Sequence, residues 1–233
     1  MQIEICTPSR QSAKAAKEGG AQRIELCRDL ACGGLTPSDE DIDYCVRRLG
    51  LRTHVLVRPR PGDFCYTPDE LLEIEHTILR CKQLGAAAVV VGFLTPEGLV
   101  DEKPTRRMVQ LAAPMEVTFH RAFDEAQQEP LEALKAIIRC GCHRLLTSGQ
   151  APTATEGAFV IKKMVEYSSN HNPHFSILAG SGVTPENVSQ LIEATGVTEV
   201  HGSCKGVDGE TNVDTVRRMI STANVYNFLH LSN

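Results

Sequence analysis

The chain alternates short apolar segments with helix-like ones, and the alternation repeats around the whole length. Strand-like segments begin near Gln2, Arg23, Thr53, Ala88, Glu116, Arg144, His174 and Glu199. Helix signals lie between them. Ser9 can cap a helix that stops at Gly19-Gly20, and a second pattern runs from Asp39 to Arg48. Thr67-Pro68 opens a third helix that closes at Gly85. A short fourth is expected over Thr105–Leu111, a fifth over Pro130–Cys140 and a sixth over Thr155–Tyr167. Thr184-Pro-Glu-Asn187 should start a seventh, and Asn212 or Asp214 an eighth. Strands alternating with helices at this spacing predict a parallel sheet. Eight such units predict an α/β fold, a single (β/α)8 TIM-type barrel, for which 233 residues is a suitable length. A doubly wound open sheet is the alternative, but no Gly-x-Gly-x-x-Gly follows the first strand. The barrel is expected over residues 1–223, with an apolar tail over 224–233 that packs as a terminal segment.

The strands end in polar residues. One runs into Arg58-Pro-Arg60, another into His120-Arg121 with Asp124 three residues on, others into Thr147-Ser-Gly149 and His201-Gly-Ser203. In a parallel barrel these ends converge on one face, where barrel sites sit. Side chains alternate along a strand. If Ile3, Ile5, Ile24, Leu26, Val55, Val57, Val117 and Phe119 face the helices, then Glu4, Cys6, Arg23, Glu25, Cys27, Arg58, Thr118 and His120 point inward, as does His201. Barrel interiors are normally filled with branched apolar side chains. Here acids, bases and thiols take their place. Buried charges need partners, so Glu116, Arg144 and Glu199, low on their strands, are expected to form an architectural ion-pair network; at the strand ends a site is expected, the alternative being a structural pair such as Glu25 with Arg58.

The strand ends also suggest chemistry. Ala179-Gly-Ser-Gly182 follows the seventh strand, and barrel loops seven and eight often cradle an anion with backbone N–H groups. Gly180, Gly182, Ser203, Thr147 and Ser148, with Arg60 and Arg121, are candidate binding residues for a small anionic or phosphorylated molecule. His120 and His201 are candidate general acid and base, with Arg58, Glu25 and Asp124 as partners. No Lys lies inside a candidate strand, which argues against Schiff-base chemistry, and no His-x-His opens the barrel.

Composition narrows the partners. The net charge is −5, no Lys/Arg run stands out, Trp is absent and aromatics are 5%, so neither nucleic acid nor an anionic membrane is expected. Nine scattered cysteines and a first strand that follows Met1 at once fit a cytoplasmic protein with reduced thiols. A homo-oligomer is expected. Cys140-Gly-Cys142-His143 has the look of a metal motif, but it lies between a helix end and the sixth strand and reads as structural.

Glu25-Leu-Cys27, Gly33-Gly-Leu-Thr-Pro-Ser38, Arg58-Pro-Arg60 with Gly62-Asp-Phe64, Thr118-Phe-His-Arg-Ala-Phe-Asp124, Leu146-Thr-Ser-Gly149 and Glu199-Val-His201 resemble the copper homeostasis protein CutC family from residue 2 to about 204. The resemblance implies one β/α barrel, a cytoplasmic protein, and Cu(I) binding through Cys6 and Cys27. The residue chemistry is compatible with this. Cu(I) takes thiolates readily, and inward residues on adjacent strands about 4.8 Å apart can approach one ion. Arg58 nearby is expected to lower the thiol pKa values, and Cys32 is a further loop thiol. Pro61 stands where the family usually has Gly, and the segment after Cys204 departs from the pattern. Copper binding is therefore the leading expectation, and an enzyme acting on a small anionic or phosphorylated metabolite by His/Arg acid–base chemistry is the alternative.

Overall fold

Eight parallel strands close on one another in sequence order in the computed structural model, which describes the backbone of residues 1–231 and the side chains of residues 1–225. The strands are β1 (Gln2–Thr7), β2 (Arg23–Leu26), β3 (Arg52–Leu56), β4 (Ala88–Val91), β5 (Glu116–Phe119), β6 (Arg144–Thr147), β7 (Ser176–Ala179) and β8 (Glu199–Gly202). The helices are α1 (Arg10–Glu18), α2 (Asp39–Asp43), α3 (Pro68–Leu84), α4 (Glu102–Ala112), α5 (Pro130–Arg139), α6 (Ala158–His171), α7 (Val188–Thr195) and α8 (Val213–Leu231). The (β/α)8 barrel expected from the sequence is therefore the fold. The proposed tail over 224–233 falls mostly on residues whose side chains lie outside the described ones.

Local signals set most boundaries. Ser9 Oγ accepts the Ser12 amide, and Thr67 with Glu70 forms a reciprocal capping box ahead of Pro68. Three helices depart from the sequence reading. α4 starts earlier, because Asp101 caps it by accepting the Lys103 amide, and Pro104 sits in the first turn, where no intrahelical N–H is needed. α6 starts later, because Gly157 is packed against the Ser148 carbonyl, where an added Cβ would lie 1.9 Å away. Thr184–Asn187 forms a turn rather than helix: Asn187 accepts the Thr184 amide and donates to the Gly182 carbonyl.

The outward faces of the strands pack under the helices, with Ile5, Ile24, Val55, Val117 and Phe119 fully buried. The barrel interior is polar, as side-chain parity anticipates. At its floor Glu199 joins Arg23 at 2.5 Å and Arg144 at 2.7 Å, and Arg144 reaches Glu116 at 3.2 Å. One layer up, Glu4 lies 2.8 Å from both Arg23 and His54. Register makes this possible, since Glu4 stands opposite Arg23 on one side and His201 on the other. A structural pair of Glu25 with Arg58 is the alternative to a site at the strand ends. That pair is not formed, because Glu25 faces His201 and the Arg58 guanidinium is held by main-chain oxygens.

Burial alone would raise the Glu199 carboxyl, but the Arg23 and Arg144 guanidinium groups outweigh it and hold it below the ordinary range. Burial likewise opposes ionisation of Glu4, and His54, His201 and Arg23 together hold it well below. A carboxylate with a depressed pKa contributes stability that is present above its unfolded pKa and is lost as pH falls. Glu199→Ala should therefore cost about 3–5 kcal/mol in urea unfolding at pH 7, because it removes the counter-charge that two buried cations share. That difference should shrink as pH drops below about 4.3, the ordinary Glu value. A loss under about 1 kcal/mol at pH 7 would mean that the floor network is dispensable.

Candidate functional site

A cavity of about 560 Å³ opens at the C-terminal ends of the strands. Ten of the residues singled out from the sequence line it: Cys6, Glu25, Cys27, Arg58, His120, Arg121, Asp124, Gly182, His201 and Ser203. Arg60, Thr147, Ser148 and Gly180 do not. Arg60 turns away to Glu70 at 2.5 Å and Asp63 at 3.0 Å and lies over Tyr66. Gly180 is a packing position, where a Cβ would meet Leu146 at 2.6 Å. Gly182 has φ +69°, and a Cβ there would lie 3.0 Å from Thr153.

Asp124 is a staple between two loops. Its carboxylate accepts from Thr147 Oγ1 at 2.5 Å, from the Ser148 and Gln150 amides, and from Arg121 Nε at 2.8 Å. Those bonds occupy its lone pairs and explain why Thr147 and Ser148 point away from the cavity. The Cys140–His143 segment is structural. Cys142 is in the core, and His143 Nδ1 accepts the Val117 amide.

Two inward thiols meet where β1 and β2 end. Cys6 Sγ lies 3.9 Å from Cys27 Sγ, with Leu56 and Val90 packed beside them. The Cys27 interaction, burial and the Glu25 charge push the Cys6 thiol well above its ordinary value. This is a correction to the expected acidifying effect of Arg58, whose guanidinium is engaged elsewhere. Cys32 is exposed on the rim, its Sγ donating to the Asp29 carbonyl at 3.0 Å.

Next to the thiols stands an acid–imidazole–acid row. Glu4 Oε1 lies 2.9 Å from His201 Nδ1, and His201 Nε2 lies 3.6 Å from Glu25 Oε2. Burial opposes a charge on His201, but the hydrogen bond to Glu4 and the Glu25 charge prevail and raise its pKa. Burial raises Glu25, with His201 pulling the other way. Cys6, Glu25 and His201 offer ligand atoms that all lie within 4.8 Å of one another. A metal-ligating His usually has its second nitrogen fixed by a carboxylate, which is the role Glu4 fills here. Sequence reading put Glu4 inside the barrel without this role and passed over His54, which alternation from Val55 would have found.

His120 differs from His201 in state. Its Nδ1 accepts the Ala122 amide at 3.1 Å, so a neutral ring carries its proton on Nε2. Burial and the adjacent Arg58 charge lower its pKa to about 3. It packs on Phe64 with ring centroids 4.9 Å apart, and Gly92 leaves it room, since a Cβ there would lie 2.3 Å from the ring. In this state His120 is a hydrogen-bond donor rather than a general base.

The model of the CutC family matches residues 1–206. The chain belongs to the CutC family. The family protein CutC of Chromobacterium violaceum is 45% identical over 204 residues, covering 88% of this chain and 81% of that one. Its counterpart in Vibrio vulnificus strain CMCP6 is 44% identical over 206 residues, with 88% and 81% covered. A solved CutC structure from Streptococcus agalactiae, titled as a copper homeostasis protein, is 31% identical with a TM-score of 0.81, covering 87% of this chain and 98% of that one. Phosphoribosylanthranilate isomerase from Thermotoga maritima, at 15% identity and a TM-score of 0.63, shares the barrel fold alone. No helix of the described residues is long and apolar enough to cross a membrane.

The two mouth histidines should separate in an imidazole ¹⁵N–¹H titration. His201 should keep its second proton above pH 6.5, whereas His120 should stay neutral down to the acid limit of the folded protein, in line with its value of about 3. A His120 signal that titrated near 6.5 would show that its ring is not sealed from solvent.

Proposed function

We propose that this CutC family member binds Cu(I) at the barrel mouth, with Cys6 and Cys27 as the thiolate ligands and His201 as the nearby nitrogen donor. The observation that carries the reading is the inward thiol pair 3.9 Å apart at the wall of the cavity. With metal–sulfur bonds of about 2.3 Å, as for zinc thiolates, that separation subtends roughly 120° at the ion. Such an angle suits a three-coordinate ion and calls for a third donor beside the thiols. Cys6 is common to both donor groups, the thiol pair and the Cys6–Glu25–His201 cluster. Soft thiolates select Cu(I) over the harder divalent ions. All nine cysteines are free, which supports a cytoplasmic setting in which reduced thiols persist.

Cu(I) must displace protons from its ligands, because both the Cys6 thiol and the His201 imidazole have raised pKa values. Apparent affinity should therefore climb with pH. In an anaerobic titration against a competing chelator, one Cu(I) should bind tightly, and Cys6→Ser/Cys27→Ser should abolish that binding in a folded protein. Glu4→Gln, which frees the His201 ring, should weaken binding by about 10–100-fold. Cys140→Ser/Cys142→Ser should leave it unchanged. Equal loss from both cysteine pairs would sink the assignment.

A further inference from the structure

Arg58 is a buried cation with no counter-ion among the described residues. The residue is 6% exposed. Three of its five N–H groups go to main-chain oxygens: Nη1 to Cys32 at 3.0 Å and Gly34 at 3.2 Å, Nη2 to Gly62 at 2.7 Å. The guanidinium carbon lies 4.9 Å from the centre of the Phe64 ring. The acids nearby are committed elsewhere, Glu25 to His201, Asp124 to Arg121, and Asp63 and Glu70 to Arg60. Tyr66 does not supply a negative charge either, since burial pushes its phenol up to about 12 against the pull of Arg58. Carbonyl dipoles solvate the cation without neutralising it. A buried charge left unpaired is costly, and proteins pair it or use it.

A second observation points the same way. His120 is 5% exposed, and its Nε2 has no partner in the protein. Because Nδ1 is taken by the Ala122 amide, Nε2 is a donor looking for an acceptor. Both residues line the same cavity. A fixed positive charge and an unpaired N–H donor at one wall select an acceptor-only, negatively charged group.

We propose that the cavity binds a small organic carboxylate, with Arg58 as its counter-ion and His120 Nε2–H as a hydrogen-bond donor to one of its oxygens. One cation matches one negative charge. A phosphate near its second ionisation would bring up to two charges and three oxygens to a wall with few donors left. Leu30, Leu56, Leu146 and Val183 line the same cavity and offer apolar contact to the ligand body. The volume of about 560 Å³ suits a metabolite-sized molecule. The inference is independent of the copper reading, since neither Arg58 nor His120 is among the ligands assigned there.

Acetate, pyruvate, inorganic phosphate and chloride, titrated at equal ionic strength into the full chain, test this by thermal unfolding and by the imidazole ¹⁵N–¹H spectrum. Pyruvate or acetate should raise Tm saturably and shift the His120 Nε2–H signal. Arg58→Gln and His120→Phe should each weaken that response by at least about tenfold, the size of one lost charge-assisted hydrogen bond. His120→Phe leaves the Arg58 carbonyl contacts intact and so covers the case in which Arg58→Gln does not fold. Cys6→Ser/Cys27→Ser should keep the response, which separates this site from the copper assignment. Carboxylates no more effective than chloride, a response to phosphate alone, an unmoved His120 signal, or full binding in His120→Phe would each overturn the proposal.

Discussion

The polar interior of this barrel is organised by one buried carboxylate, Glu4. Its oxygens meet His201 at 2.9 Å and His54 and Arg23 at 2.8 Å, so a single side chain of β1 ties together β8, β3 and β2. A carboxylate in that position is tolerable only because every neighbour is a donor. Below it the Arg23–Glu199–Arg144 chain closes the floor with alternating charge. Above it the His201 ring is turned so that Nε2 faces Glu25 and the thiols. The same residue thus anchors the architectural layer and orients the reactive one. The ion pairs of this layer stand beside an apolar patch of Leu56 and Val90 packed on the thiols, so paired charge and volume filling share the barrel interior.

The upper layer divides by charge. On the β1, β2 and β8 side are two thiols and a carboxyl, groups that become anionic on losing protons and therefore suit a cation. On the β3 and β5 side are a guanidinium and a neutral imidazole N–H, groups that suit an anion. Glu25 with a raised pKa and His201 with a raised pKa lie on the first side, and both gain from holding protons. Burial and the Arg58 charge, in contrast, keep His120 neutral. On the two proposals made above, a metal ion and an organic anion would take separate walls of one cavity.

Much of this was legible in the sequence because barrel strands obey a period of two. Once Ile3 and Ile5 are assigned outward, Glu4 and Cys6 must point in, and the same step from Val117 and Phe119 finds His120. The end at which the site lies follows from the fold. Pairing did not follow. Parity says that Glu25 and Arg58 both point inward, but which buried acid meets which base depends on register and loop course. Register sets Cys6 opposite Glu25, and Glu4 opposite His201. Gly34 and Gly62, both with positive φ, curl their loops so that main-chain oxygens reach Arg58 first. The thiol acidity was misjudged for the same reason: the groups that meet Cys6 are Cys27 and Glu25, and with burial they raise its pKa. The α4 boundary moved because Asp101 is its cap, a local signal passed over, and the α6 boundary because the packing of Gly157 against Ser148 outranked the local pattern.

The two mouth histidines show how the site is held ready. In each, Nδ1 is fastened, by Glu4 in His201 and by the Ala122 amide in His120, which leaves Nε2 facing Glu25 in His201 and without a protein partner in His120. Arg58 follows the same rule with three carbonyls behind it. Each functional atom is therefore fixed by a bond that the ligand does not have to make. A ligand entering such a cavity gives up its own freedom but orders little of the protein, which is the condition under which a few polar contacts translate into affinity. The difference between the two fasteners then decides the chemistry. A carboxylate behind the ring raises the affinity of His201 for a proton or an ion, whereas an amide donor behind the ring commits His120 to giving a hydrogen bond.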